Sequence, residues 1–197
     1  MTLKETIIHE SMKLFSLNGF LGTSIEDILT SSKSSKGGFY NHFKSKEDLF
    51  LHVLGEARQI WRERNLMGLS KNQDPITNLK RLLVNFRDLY LKNSDSFPGG
   101  CIFIMLMVEL KNQRPHLSKE INKGFVGLKK MIKSYLENAM ESRQLKNGAD
   151  INEMSEILFN GILGAAVSYN DKNSDSDLDS AINAMINYIE RFEEISI

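Results

Sequence analysis

The sequence predicts an all-α protein, in which a small N-terminal unit of three helices precedes a larger helical bundle. Two observations predict this class: the 197 residues include only three prolines, and apolar residues recur at helical spacing along nearly the whole chain. The eight apolar residues 101–108 suit a buried helix or a buried strand equally. Because no second strand candidate exists, helix is favoured there too.

Three helices are predicted near the N-terminus. A capping box formed by Thr2 and Glu5 opens the first. Ser24 caps the second, whose first turn is acidic, and the polar run 30–35 ends it. The third follows that run and reaches about residue 43.

Later helices are predicted from capping residues and from apolar spacing. Ser45 caps a fourth helix that reaches about residue 69, and Asp74 followed by Pro75 caps the next. Besides the segment after residue 101, further helices are predicted at about 75–93, 118–145, 151–169 and 177–193.

Composition narrows the functional classes. The chain has 25 lysine and arginine residues and 25 aspartate and glutamate residues, so its formal net charge is zero. A wholly basic nucleic-acid coat protein is therefore not expected, although a local basic patch is allowed. Cys101 is the single cysteine and cannot form an internal disulfide, which is typical of a reducing cytoplasm. The N-terminus does not resemble a signal peptide, and no apolar run is long enough to span a bilayer. We therefore expect a cytoplasmic protein.

The segment 31–46 concentrates positive charge. It contains four lysines and no acidic residue, and it joins two short helices through a polar turn, which is typical of a helix-turn-helix. Its glycines, Gly37 and Gly38, let backbone approach a phosphate or a base edge closely. A helical hairpin with a solvated basic face is the alternative reading.

Aromatic residues in the same segment divide between two faces. Phe39 and Phe43 are four residues apart and are predicted to anchor the helix in the core. Tyr40 and His42 point elsewhere and can donate to phosphate oxygens. Free N–H groups after Ser45, with the charge of Lys46, offer a second anion site.

More than a dozen positions in register carry a family resemblance: Ile7, Leu14-Phe15, Gly19-Phe20, Thr23-Ser24-Ile25, Ile28, Ser35-Lys36-Gly37, Phe39-Tyr40, His42-Phe43, Ser45-Lys46-Glu47 and Leu49. This array resembles the DNA-binding domain of the TetR family of transcriptional regulators. The resemblance implies a helix-turn-helix domain at 1–47, with its motif at about 24–43. It also implies a helical ligand-binding and dimerisation domain at 48–197.

The resemblance assigns DNA contacts by position. It implies phosphate contacts from Ser24, Tyr40, His42 and Lys46. It also implies that one set faces the major groove, where Lys36 and Asn41 have the donors to read base edges: Ser35, Lys36, Gly37, Gly38 and Asn41.

Four positions depart from the family pattern. The turn usually carries glycine and then an apolar residue, but here it carries Lys33 and Ser34. If Lys33 adopts a positive φ, the cost is roughly 1 kcal/mol. Glu10 and Ser11 also stand where small apolar residues are usual. We expect the same fold with a less stable DNA-binding head.

Two functional sets are predicted in the remaining chain. The resemblance implies that the last two helices, 151–169 and 177–193, form a homodimer interface; internal packing is the alternative. A second set lines either a core or a pocket for an apolar or amphipathic ligand, and sequence cannot separate the two. Its members are Trp61, Phe86, Tyr90, Phe103, Met107, Glu109, Phe125 and Phe159.

These features predict a ligand-responsive repressor that binds a palindromic operator as a homodimer. Nothing specific favours an enzyme, and no cofactor is expected. The four histidines share no metal-ligand spacing, so no metal site is expected. Cys101 is interpreted as a buried hydrophobe in preference to a redox sensor. The alternative function is a ligand-binding or catalytic helical protein that no longer reads DNA, supported only by Lys33 and Ser34.

Overall fold

The computed structural model describes residues 1–70, 72–93, 95–172 and 174–194. Within these ranges the chain is helical, and its only β-type pairing is an isolated bridge between Leu145 and Glu193. The all-α fold class is therefore confirmed.

The helices follow one another with short connections. In chain order they are α1 Leu3–Asn18, α2 Ile25–Ser31, α3 Lys36–Tyr40, α4 Lys46–Asn65, α5 Pro75–Asn85, α6 Ile102–Gln113, α7 Pro115–Glu141, α8 Ile151–Lys172 and α9 Asp175–Phe192. A π-helical stretch, Phe86–Leu91, continues α5 directly. The ambiguous apolar run after Cys101 is helical, as predicted.

Side-chain caps begin the helices where the sequence predicted them. Thr2 and Glu5 form a capping box at α1, and Ser24 and Asp27 form one at α2. The hydroxyl of Ser45 accepts from the backbone N–H of Asp48 at α4. Asp74 accepts from the backbone of the first turn of α5. These caps satisfy N–H groups that have no partner inside the helix.

Helix ends differ from the predictions by a few residues. α4 ends at Asn65, four residues before the predicted end, and Gly68 beyond it has φ 72°. α7 starts at Pro115 because proline suits the first helical turn. It ends at Glu141, and Arg143 has φ 57°. The left-handed backbone after each helix stops further helical hydrogen bonding.

The described chain divides into two compact units. The first comprises Met1–Trp61 and Asn93–Lys123, and the second comprises Arg62–Lys92 and Gly124–Ile197. This division does not follow the predicted domain boundary at residue 47, because α6 and the start of α7 belong to the same unit as α1, α2 and α3. The first unit therefore contains both the predicted DNA-binding segment and α6.

The core of the first unit is aromatic around α1. The rings of Phe15 and Phe20 pack edge to face with centroids 5.5 Å apart, and Phe20 packs the same way against Phe50 at 5.3 Å. All three side chains are buried. In the second unit, buried aliphatic side chains fill the space between helices. Gly161 of α8 allows close approach to Met185 of α9, whose Sδ would lie 2.5 Å from a Cβ at this glycine.

Candidate nucleic-acid interface

Helix α3 is short, and buried aromatic rings hold it from behind. Its N-cap Ser35 accepts a 3.0 Å hydrogen bond from the backbone N–H of Gly38. Phe39 and Phe43 are 0% and 1% exposed, with ring centroids 5.5 Å apart. The prediction that these two rings anchor the segment is confirmed. A helix with two glycines thus gains its rigidity from the core behind it.

The opposite side of α3 faces solvent. Most residues predicted to contact DNA from this segment are exposed: Ser35, Lys36, Gly37, Tyr40, Asn41 and His42. Gly38 is half-buried, since a Cβ there would lie 3.2 Å from the side chain of Leu3. With exposed Lys33 and Lys44 nearby in sequence, this side presents cations, amide and hydroxyl donors, and bare backbone. Such groups suit an anionic, grooved surface.

The turn between α2 and α3 accommodates its unusual residues. Lys33 has φ 50°, so the positive φ expected of this position is present without a glycine. The backbone N–H of Ser34 donates 3.0 Å to the carbonyl of Leu29. The hydroxyls of Ser34 and Ser32 are hydrogen bonded at 2.8 Å, and that of Ser32 donates 2.6 Å to the carbonyl of Ile28. Hydrogen bonds therefore replace the apolar contact usual at this turn.

Ser24 acts as a helix cap. Its hydroxyl donates a 2.7 Å bond to a carboxylate oxygen of Asp27 and accepts a 3.1 Å bond from the Asp27 backbone N–H. The hydrogen bonds from Ser24 lower the pKa of Asp27. Because the hydroxyl proton is already donated, this geometry does not favour Ser24 as a side-chain donor to phosphate.

Lys46 points into the protein. Its Nζ donates to the carbonyl oxygens of Phe20 at 2.8 Å and of Thr23 at 2.7 Å, and it lies 4.3 Å from the centre of the Phe20 ring. Burial lowers the pKa of Lys46. The sequence placed this charge on a phosphate, whereas the structure directs it to the turn between α1 and α2.

Glu109 meets the same turn from α6. Its two carboxylate oxygens accept hydrogen bonds of 2.8 Å from the backbone N–H groups of Phe20 and Leu21. The prediction had placed Glu109 in a ligand pocket as a polar anchor. Sequence spacing gave no sign of this contact, because the partners are 89 and 88 residues apart.

The remaining predicted ligand residues are distributed over both units. Trp61, Phe103 and Met107 belong to the first unit, as does Glu109. The four predicted aromatic residues of the second unit form two pairs. The rings of Phe86 and Tyr90 stack with centroids 5.6 Å apart, and those of Phe125 and Phe159 pack edge to face with centroids 6.5 Å apart. Within the second unit, these side chains pack as pairs.

A cavity of about 500 Å³ lies in the second unit. It is bounded by the segment that follows α4, the first turn of α5 and the last turns of α7. None of the predicted ligand residues lines it. Burial raises the pKa of Tyr135, which lies in its wall. Among the residues that the structure describes, the lining is uncharged and consists of Leu66, Leu69, Ser70, Gln73, Pro75, Asn78, Met131, Tyr135 and Asn138.

The remaining features to consider in the described ranges are the cysteine, metal-binding clusters and membrane-spanning helices. Cys101 is buried at the start of α6. The described histidines, cysteine and acidic residues form no cluster of three that could hold a metal ion. Among the described helices, none combines the length and apolarity needed to cross a membrane.

Two family profiles match the sequence in succession. Residues 7–53 match the profile described as "Bacterial regulatory proteins, tetR family", and residues 75–185 match "Tetracyclin repressor-like, C-terminal domain". The second match covers more than half of the chain. The first match covers α2, α3 and their N-caps, Ser24 and Ser35.

Individual relatives agree with these profiles. An uncharacterized HTH-type transcriptional regulator from Lactococcus lactis, in the lacX 3′ region, is 32% identical over 130 residues, which is 66% of this chain and 65% of that protein, just under two thirds of its length. The HTH-type transcriptional regulator QacR of Staphylococcus aureus is 27% identical, covering 99% of this chain and 96% of QacR. A TetR transcriptional regulator from Chloroflexus aurantiacus shares the fold, with a TM-score of 0.88 and 23% identity over 98% of this chain and 97% of that chain.

Proposed function

The chain belongs to the TetR family of bacterial transcriptional regulators, and from this membership we propose that it is a cytoplasmic, homodimeric repressor that a small molecule releases from DNA. The family consists of DNA-binding regulators and not of enzymes. One observation carries the proposal: α3 presents an exposed lysine and glycine surface on a buried aromatic anchor.

We propose that α3 enters the major groove of a palindromic operator. Lys36 and Asn41 carry the donors that distinguish guanine and adenine edges. Tyr40, His42 and Gly37 are exposed on the same segment. This exposure supports phosphate contacts from Tyr40 and His42, with Gly37 leaving room for the DNA backbone. Ser24 caps α2, and Lys46 holds the turn between α1 and α2.

Selection from a random DNA library tests operator recognition. The full-length protein should enrich a sequence with two related half-sites. Their centres should lie about 34–36 Å apart or a multiple of that distance, because two heads must read major grooves on one side of the duplex. Enrichment of unrelated sequences, or of a single half-site, would contradict a dimeric repressor.

The dimer is proposed to form through residues 151–169 and 177–193. On α8, Ile157 and Val167 are 40% and 52% exposed, and Gly164 is exposed between them. On α9, the exposed residues include Asn183, Ala184 and Asn187. These side chains are uncharged, and those of Ile157, Val167 and Ala184 are apolar, which suits helix packing against a second copy.

A charge placed on α8 tests this interface. Val167→Glu should produce a monomer in sedimentation analysis and should abolish operator binding, because an unpaired carboxylate would be buried between subunits. Val126→Glu on α7 is the matched control, since Val126 is 45% exposed. An unchanged molecular mass for Val167→Glu would contradict the proposed interface.

Ligand control is proposed for the second unit. The described lining residues of the 500 Å³ cavity are uncharged and suit a neutral amphipathic molecule, and the cavity has the volume of a typical small-molecule site. Release of DNA requires the ligand to bind the DNA-incompetent state more tightly, because equal affinity for both states shifts nothing. The predicted aromatic residues, among them Phe86 and Phe125, remain candidates for a second wall that opens on binding.

A thermal-shift screen of neutral, drug-sized compounds tests ligand control. Compounds that stabilise the protein should cause it to release the enriched operator. Tyr135→Ala should weaken the binding of these compounds if they occupy the cavity. Phe125→Ala should weaken their binding instead if the aromatic residues form the site. Hits that stabilise the protein without affecting DNA binding would contradict ligand control.

A further inference from the structure

The turn between α1 and α2, residues 19–23, is held by charged side chains from two other helices. We propose that Glu109 and Lys46 form a clamp that positions this turn, and with it α2, for DNA binding. α6 is then part of the DNA-binding head. The inference rests on the proposed function only for its DNA readout, because the contacts themselves lie within one compact unit.

Glu109 supplies the α6 side of the clamp. Each of its carboxylate oxygens accepts one backbone N–H, from Phe20 and from Leu21, at 2.8 Å. Hydrogen bonds to a charged acceptor are roughly twice as strong as neutral ones. Two parallel bonds also fix the orientation of the peptide groups. Glu109 therefore determines both where the turn lies and which way its amides point.

Lys46 supplies the α4 side. Its ammonium donates to the carbonyl of Phe20 and to that of Thr23. Phe20 is thus held at both ends of its backbone, by a carboxylate at its N–H and by an ammonium at its carbonyl. The next residue, Ser24, caps α2. A shift of the turn would consequently shift the start of α2.

Two glycines show how closely α6 and its leading segment approach α1. Gly19 has φ 74°, and a Cβ there would lie 2.5 Å from the Glu109 carboxylate. Gly99, just before α6, would place a Cβ 1.7 Å from the carbonyl oxygen of Ser16, and its N–H donates 3.2 Å to the Ser16 hydroxyl. The segment is therefore held against the end of α1 at two separate points.

Positioning of this kind matters because α3 is only five residues long. A short helix cannot orient itself, so the position of its donors depends on the elements packed around it. Contacts between α1 and α2 and between α1 and α3 complete the head. The clamp restrains the α1–α2 connection and, through it, the start of α2.

Amide exchange in the full-length protein tests the clamp directly. In Glu109→Gln, the amides of Phe20 and Leu21 should exchange at least about tenfold faster, as expected for loss of a charge-assisted hydrogen bond. Lys46→Met should speed exchange across the turn. Glu109→Asp keeps the charge but is one methylene shorter, so it should also fail to protect both amides. Glu56→Gln and Lys119→Met are matched controls at exposed positions.

Binding to the enriched operator tests the consequence. Glu109→Gln should lower specific affinity about tenfold while leaving affinity for random DNA unchanged, which a loss of charge alone or of bulk stability would not produce. Combined with Lys46→Met, the loss should be smaller than the product of the single losses, because both side chains hold Phe20.

Unchanged exchange of Phe20 and Leu21 in both Glu109 variants would overturn the clamp. Faster exchange with unchanged operator affinity would overturn its positioning role. If the wild-type protein prefers no DNA sequence, the proposed function fails. The exchange result then decides the clamp by itself.

Discussion

The hydroxyl of Ser31 donates a 2.9 Å hydrogen bond to the carboxylate of Glu10, joining α2 to α1. Glu10 stands where small apolar residues are usual in the family, and the structure shows how the charge is accommodated. Lys13 and His9 also contact this carboxylate, at 3.2 and 3.3 Å. A network of hydrogen bonds thus takes the place of an apolar contact between two helices of the head.

This network predicts a pH-dependent contribution of Glu10 to stability. Burial raises the pKa of Glu10, but hydrogen bonds from Ser31, Lys13 and His9 outweigh it, so the pKa lies below its ordinary value of 4.5. The stabilisation is therefore complete above pH 4.5 and is lost as the pH falls through the folded-state pKa. Glu10→Gln should lower the free energy of unfolding by about 1 kcal/mol at pH 7.

Urea unfolding at pH 7 and pH 3 measures this effect. The difference between wild type and Glu10→Gln should shrink at the lower pH. Glu56→Gln, at an exposed position of α4, should show no comparable change. A Glu10→Gln difference that is equal at both pH values would mean that the carboxylate charge contributes nothing.

Alanine substitutions at two buried serines of α1 should change the free energy of unfolding in opposite directions. The hydroxyl of Ser11 is buried and has no hydrogen-bond partner among the described residues. Ser11→Ala should therefore stabilise the protein by about 1 kcal/mol, because an unsatisfied polar group is removed from the core. Ser16 is equally buried, but its hydroxyl donates 2.9 Å to the carbonyl of Lys13 and accepts from Gly99. Ser16→Ala should destabilise by about 1 kcal/mol.

Thermal unfolding decides between these signs. Changes of this size should move the midpoint by about 2–4 °C in a chain of this length. Equal shifts in the same direction for Ser11→Ala and Ser16→Ala would show that side-chain volume, and not hydrogen bonding, determines the outcome.

A pair of glycine substitutions tests the approach of the segment before α6 to α1. Gly99→Ala should destabilise by at least about 2 kcal/mol, since the added methyl would meet the backbone of Ser16. Gly127→Ala, in α7, adds a methyl with no neighbour within 4 Å and should stabilise by about 1 kcal/mol through helix propensity. Chemical unfolding provides the measurement. A neutral Gly99→Ala would contradict the close approach.

The features of this structure that could be predicted from the sequence depend on interactions between residues close together in the chain. The cap at Ser24 and the buried pair Phe39 and Phe43 follow from residues a few positions apart. The positive φ of Lys33 is expected only from the glycine that is usual at this position in the family. The contacts that sequence missed join distant segments. Spacing placed Lys46 near a helix start, where an anion would fit, but only the fold brings the Phe20 carbonyl within reach.

The same limit applies to Glu109. An acidic residue at the end of an apolar run reads as the polar anchor of a pocket. The free N–H groups that it meets lie in a turn 89 residues away, at Phe20. The π-helical stretch at Phe86–Leu91 likewise has no local sequence signal comparable to a cap.

The most direct test of the central claim compares affinities for the enriched operator and for a scrambled duplex across a salt series, with wild type and Lys36→Ala. The wild-type protein should prefer its operator by ~10³ or more at physiological salt. Lys36→Ala should reduce that preference by about tenfold or more, whereas Lys130→Ala, exposed on α7, should not. No preference in the wild type, or a preference unaffected by Lys36→Ala, would contradict the assignment of α3 as the element that reads DNA.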